Sequence, residues 1–214
     1  MVIAWDAPGA GLSSDPPESF SMSDWGRCLA EFLDRLDIAQ AHVVGLSWGG
    51  VLAQEFYRLH PTRVLRLILA DTYAGWNGSF PASVCDERLA RCERDSRLTP
   101  DEFVSRWVPE MFTEGAPASL REEMAAIMAD FHPRGFRLMA RSLAETDTTG
   151  LLARIESPTL LLWGDEDRRS PMIIAERLRD SIPNAELAVI AQAGHVSNME
   201  QPDVFNAHVR RFCF

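Results

Sequence analysis

The most constraining stretch of this 214-residue chain is AHVVGLSWGGVLAQEFYRLH, residues 41–60. An apolar run through His42, Val43 and Val44 passes into Gly45-Leu46-Ser47-Trp48-Gly49, and then Val51, Leu52, Phe56 and Leu59 recur at helical spacing. Ser47 therefore lies on a strand-to-helix turn. So sharp a turn holds a serine in strained backbone geometry, and glycines at 45 and 49 are expected there because side chains would collide with the neighbouring strand and helix. The turn lifts the Ser47 hydroxyl above the carboxyl edge of a sheet, and the amide of Trp48 at the helix N-terminus is placed to donate to an oxyanion forming beside it. A G-x-S-x-G string alone is weak evidence, because glycine is common. Its position between a buried-strand run and an amphipathic helix gives it weight, and it predicts an acid and then a histidine further along the chain.

Residues 2–5 form a short apolar run closed by Asp6 and a Pro- and Gly-containing loop over 7–13, which reads as a strand and its turn. Trp25, Cys28, Leu29, Phe32, Leu33 and Leu36 then predict an amphipathic helix, so strand, helix and the strand before Ser47 make a parallel crossover unit. His60-Pro61 ends the next helix, with His60 a helix-end histidine favoured by the macrodipole. Residues 64–70 read as a strand buried on both faces. Asp71 follows directly and so falls at the carboxyl edge, where open α/β sheets place their chemistry.

From residue 72 to about 152 the strand signals stop. Thr99-Pro100-Asp101-Glu102 predicts an N-cap, a first-turn proline and a capping box, and helices are expected over 118–131 and 135–145. Alternation resumes with a strand over 159–163, the loop Gly164-Asp165-Glu166-Asp167, a helix capped by Ser170-Pro171, and a strand over 186–190. Ala193-Gly194-His195 follows it, and a last helix carries Phe205, Val209 and Phe212 on one face. Asp167 and His195 thus fall on loops after strands, at the same edge as Ser47.

Length and composition bound the rest. The chain suffices for one substantial core and a small subdomain, and 46% hydrophobic with 24% charged residues is an ordinary globular balance. A net charge of -10 argues against nucleic acid and anionic membranes as partners. Cys28, Cys85, Cys92 and Cys213 show no C-x-x-C and no metal-ligand spacing with histidine. On one helix Cys85 and Cys92 would stand roughly 10 Å apart, too far for a bridge, so all four read as reduced thiols in a cytoplasmic protein. No apolar run approaches transmembrane length, and no basic segment precedes residues 2–5.

A serine hydroxyl needs a histidine base, and the histidine needs an acid to hold its tautomer. Ser47, Asp167 and His195 occur in that order. With Asp6-Ala7-Pro8-Gly9-Ala10-Gly11, Gly45-Leu46-Ser47-Trp48-Gly49-Gly50, Leu69-Ala70-Asp71, Trp163-Gly164-Asp165-Glu166-Asp167 and Ala193-Gly194-His195, the sequence resembles the α/β-hydrolase superfamily from residue 2 to its C-terminus. The resemblance implies a mostly parallel α/β sheet, with 1–71 and 153–214 as core and 72–152 as a helical cap. It implies catalysis by Ser47, Asp167 and His195, with the Trp48 amide on the oxyanion and no cofactor or metal. Some members place the acid after the preceding sheet strand, which here is Asp71; Asp165 is a further candidate.

A serine nucleophile argues against the haloalkane dehalogenase and epoxide hydrolase branches, which use an aspartate. What remains resembles esterases, enol-lactonases, carbon-carbon bond hydrolases and perhydrolases. The leading expectation is a serine hydrolase acting on a small ester or lactone, with oligomerisation left open; the rival is a catalytically incomplete fragment or binding module. The segment from Trp76 to Met139 is rich in aromatic and Met side chains and short of paired charges, which predicts a mostly apolar pocket and a hydrophobic acyl group.

In the family, residues 2–5 match the fourth strand, and the third lies between it and the nucleophile strand. That third strand and its following His-Gly loop, source of a second oxyanion amide, are not found before residue 2. The expectation is an N-terminally truncated hydrolase, poorly stable and weakly active. Its sheet would either have a gap or pair residues 2–5 directly with 42–45.

Overall fold

The computed structural model describes all 214 residues, built on a four-stranded parallel sheet. Its strands lie side by side in sequence order: β1 (Ala41–Leu46), β2 (Val64–Ala70), β3 (Thr159–Gly164) and β4 (Ala185–Ile190). Val44 pairs with Ile68, Ile68 with Leu160, and Leu160 with Glu186. Helix α1 (Met22–Arg35) precedes β1, and α2 (Trp48–Leu59) joins β1 to β2. Between β2 and β3 come α3 (Ala82–Asp95), α4 (Pro100–Trp107), α5 (Ala118–Ala129), α6 (Pro133–Glu145) and the short α7 (Thr149–Leu152). Helix α8 (Met172–Ser181) joins β3 to β4, and α9 (Ser197–Glu200) and α10 (Pro202–Cys213) complete the chain. No helix is long and apolar enough to cross a membrane.

Successive strand residues face opposite sides of a sheet, and here both sides are covered. Leu67, Leu69, Leu161 and Trp163 join the larger core with residues of α1, α2 and α8, while Ile68, Ala70, Leu160 and Leu162 pack with Phe205 and Phe212 of α10. All eight are fully buried, which is why β2 and β3 read as unbroken apolar runs. Burying a Leu or Ile side chain contributes about 1.5–3 kcal/mol, so these central strands anchor everything carried at their ends.

The segment between β2 and β3 has its own aromatic core. Phe103 stacks on Phe131 with ring centroids 3.8 Å apart, and Phe136 meets both Phe103 and Trp107 edge-on at 4.9 and 5.2 Å. Thr99 caps α4: its hydroxyl accepts from the Glu102 amide at 3.4 Å, and the Glu102 carboxylate accepts from the Thr99 amide at 3.0 Å. Helix α6 is held to the loop after Asp6, where Gly9 and Gly135 touch backbone to backbone so closely that a Cβ on either would clash.

Three expectations are corrected. Residues 2–5 form no strand and do not pair with β1, whose one ladder partner is β2. A strand needs a ladder; here Trp5 instead stacks its ring on Phe32 of α1 at 5.8 Å. Ser170 does not cap α8, which starts at Met172 after Pro171. Its hydroxyl donates to the Thr72 carbonyl at 2.5 Å, tying the loop after β3 to the end of β2. Helix α3 is not among the expected elements, although Cys85, Leu89 and Cys92 fall at helical spacing, and it carries residues of the site.

Candidate active site

Ser47 occupies the turn between β1 and α2 with φ 53° and ψ −117°, a region that costs a non-glycine residue free energy. Its amide donates to the Ala70 carbonyl at 2.9 Å, and its carbonyl accepts from the Gly50 amide at 3.0 Å and from the Thr72 hydroxyl. The packing reason for the glycines differs from the expectation at one position. A Cβ on Gly45 would strike the Gly49 carbonyl and Gly50, and one on Gly50 would strike Thr72, but one on Gly49 meets nothing. Crowding at the elbow therefore falls on positions 45 and 50, because Gly49 faces away from β2.

His195 lies on the loop after β4, 3% exposed. Its Nε2 is 2.9 Å from Ser47 Oγ and its Nδ1 is 2.9 Å from Asp167 Oδ2. The other Asp167 oxygen accepts the amides of Arg169 at 2.8 Å and Ser170 at 3.0 Å, which fixes the carboxylate's orientation. Burial pulls the His195 pKa below its ordinary value, with Arg169 and Arg88 pulling the same way and Asp167 opposing. A neutral imidazole here can accept a proton from Ser47 and, once charged, be stabilised by Asp167.

The other two acids are placed elsewhere. Asp71 accepts the Gly164 amide at 2.8 Å and the Ser197 hydroxyl at 2.5 Å, while Asp165 accepts the Ala193 amide at 3.3 Å. Burial raises the Asp71 pKa well above the usual carboxylate range, which favours its neutral form. Both therefore fasten loops at the carboxyl edge, and Asp167 alone of the three reaches the imidazole. A Cβ on Gly164 would clash with the carbonyls of Ala193 and Gly194. Glu200 completes the fastening: it accepts the Gly194 amide at 2.6 Å and the Thr113 amide and hydroxyl at 3.0 and 2.6 Å.

Trp48 opens α2, so its amide has no intrahelical carbonyl to reach, and its indole donates to Ser142 Oγ of α6 at 3.0 Å. No cluster of three or more His, Cys, Asp or Glu is arranged to hold a metal ion. All four cysteines are free, and burial pushes the Cys92 thiol up to about 11, so it is no nucleophile near neutral pH.

A cavity of about 400 Å³ has His195 in its lining, and it departs from the expected apolar pocket in carrying charged side chains beside the aromatic ones. Its lining includes Arg88 and Arg91 of α3 and Arg168 and Arg169 of the loop after Asp167, with Trp76 and Trp107. Most of the aromatics that suggested an apolar pocket are used in the aromatic core around Phe103. The composition of the insert does not point to these arginines, two of which lie outside it on the loop after β3. A signal was present: Arg88 and Arg91 are three apart, on one face of any helix there, and Arg168-Arg169 directly follows Asp167.

The family model described as the alpha/beta hydrolase family matches residues 2–208. The chain belongs to the α/β hydrolase family. This hydrolase is 30% identical over 208 residues to 3-oxoadipate enol-lactonase 2 of Acinetobacter baylyi, covering 96% of the chain and 76% of the relative. It is 32% identical over 219 residues to 2-hydroxy-6-oxononadienedioate/2-hydroxy-6-oxononatrienedioate hydrolase of Cupriavidus pinatubonensis, covering 99% and 75%. Among solved structures it is similar to a thermophilic esterase from Thermogutta terrifontis, with a TM-score of 0.88, 29% identity, and 97% and 77% of the two chains covered. Membership in a family whose relatives are named as hydrolases makes the chain an enzyme.

Proposed function

We propose that this α/β hydrolase is a serine hydrolase that cleaves a small carboxylic ester or lactone through Ser47, His195 and Asp167. The reading is carried by one observation: the Ser47 Oγ, His195 and Asp167 chain, linked at 2.9 Å and 2.9 Å across the carboxyl ends of β1, β4 and β3. Ser47 Oγ attacks the carbonyl carbon while its proton passes to His195 Nε2. Asp167 holds the proton on Nδ1 and stabilises the imidazolium, and the Trp48 amide donates to the oxyanion. Collapse breaks the bond to the leaving oxygen, which takes the proton from Nε2 and leaves an acyl-Ser47. Water, deprotonated by His195, then attacks the acyl carbon; the bond to Ser47 Oγ breaks as Oγ takes the proton back from Nε2, and the acid is released. In this reading residues 1–71 and 153–214 carry the chemistry, and 72–152 form a cap that bounds the substrate site.

The test is labelling with a fluorophosphonate, followed by peptide mass spectrometry. Label is expected on Ser47, absent in Ser47→Ala and strongly slowed in His195→Ala. An intact, folded protein that takes no label would lack an activated Ser47, and the serine-hydrolase reading would fall.

A further inference from the structure

The cavity beside His195 contains donors that the protein itself leaves unused. Trp76 is 4% exposed, and its indole N–H is buried without an acceptor. The Nε–H of Arg169 is also buried and unpartnered. Arg169 hydrogen-bonds Glu110 through Nη1 alone, at 3.3 Å, and its guanidinium lies over the Trp107 ring at 4.8 Å, so its Nε/Nη2 edge makes no hydrogen bond. That is the edge which meets a carboxylate with two parallel hydrogen bonds. Buried donors are normally satisfied, and two orphans on side chains that line one cavity point to an acceptor that arrives from outside.

The charge balance agrees. In a chain of net charge -10, this cavity gathers four arginines against Glu110 and Glu166. Arg91 is matched by Glu110 at 2.7 Å and Asp95 at 3.4 Å, and Arg168 by Glu114 at 3.4 Å. Arg88 has no carboxylate partner. Its guanidinium lies over the rings of Phe80 at 4.2 Å and Trp76 at 5.4 Å and donates only to neutral oxygens, chiefly the Arg169 carbonyl at 2.6 Å. Arg88 is thus the one arginine of the four with no carboxylate beside it, and a single unpaired cation suits a carboxylate monoanion.

We infer, resting on the serine-hydrolase reading above, that this cavity is a carboxylate subsite: the enzyme acts on esters or lactones that carry a free carboxylate, held by the Arg169 Nε/Nη2 edge and the Trp76 indole, with Arg88 as counter-charge. Arg169, Trp76 and Arg88 then set specificity, while Ser47 and His195 perform the bond cleavage. His195 lines the cavity and Ser47 does not, so the carboxylate belongs to the part of the substrate remote from the attacked carbonyl.

The test compares mono-4-nitrophenyl esters of succinic, glutaric and adipic acids with their methyl diesters, which differ only in the free carboxylate. In the wild-type protein the best hemiester should exceed its methyl diester in kcat/KM by about ten- to a hundredfold. Arg169→Gln and Trp76→Phe should each reduce that ratio about tenfold, mainly through KM of the hemiester. Reading a ratio within each protein cancels any general loss, and the wild-type ratio tests the idea even where a variant does not fold. A Ser47 that labels with fluorophosphonate while no hemiester is preferred overturns the subsite alone. Absence of both labelling and hydrolysis removes the subsite and the serine-hydrolase reading together.

Discussion

Three aspartates crowd the carboxyl edge, and their hydrogen bonds assign them different work. Asp167 faces the imidazole; Asp71 binds the Gly164 amide and the Ser197 hydroxyl. Asp167→Asn should therefore lower kcat by about four orders of magnitude, because the amide stabilises the wrong imidazole tautomer. Asp71→Asn should cost less than about tenfold, since burial already favours the neutral carboxyl and asparagine resembles it. Steady-state rates of the two variants decide the point, and the reverse ranking would move the acid to Asp71. The burial that depresses the His195 pKa also makes a pH prediction. Below its folded pKa the imidazole is charged and cannot accept the Ser47 proton, so activity is lost as pH falls through that value. The acid limb of kcat/KM, which reports the free enzyme, should thus have its midpoint below pH ~6.5, the ordinary imidazole value.

At the scale of elements, the elbow is a contact between β1, the first turn of α2 and the end of β2. Its tightness is uneven: Gly45 and Gly50 abut backbone and Thr72, whereas Gly49 faces open space. Gly49→Ala should change stability by less than about 1 kcal/mol, and in the stabilising direction if helix propensity dominates. Gly50→Ala places a methyl group into Thr72, whose hydroxyl also bonds the Ser47 carbonyl, and should cost about 1–3 kcal/mol. Thermal unfolding of the two variants checks this; equal losses would mean that Gly49 is held for another reason. The motif names the glycines but not which of them is crowded. That depends on how closely Thr72 approaches α2, which no local pattern records.

At the scale of the whole molecule, periodicity and order were legible from the sequence itself. The strands before Ser47, Asp71, Asp167 and His195, the amphipathic α1 and α10, and the Thr99 cap all follow from local rules, because apolar spacing and turn chemistry act over a few residues. So does the order serine, acid, histidine at one sheet edge. What only the tertiary structure decided lies between distant segments. It placed the His195 ring against Asp167 and away from Asp71, through a loop fastened by Glu200 and by the close approach of Gly164 to Ala193 and Gly194. It left residues 2–5 outside the sheet, since an apolar run becomes a strand only where a partner edge accepts its ladder. And it turned an aromatic-rich insert into a site lined by arginine, because aromatic rings bury themselves on one another while α3 and the loop after β3 bring Arg88 and Arg169 together across 81 residues of chain. Local sequence marks most of the elements; whether a marked strand joins the sheet, and which side chains line the space between elements, is set by packing, a property of the whole chain.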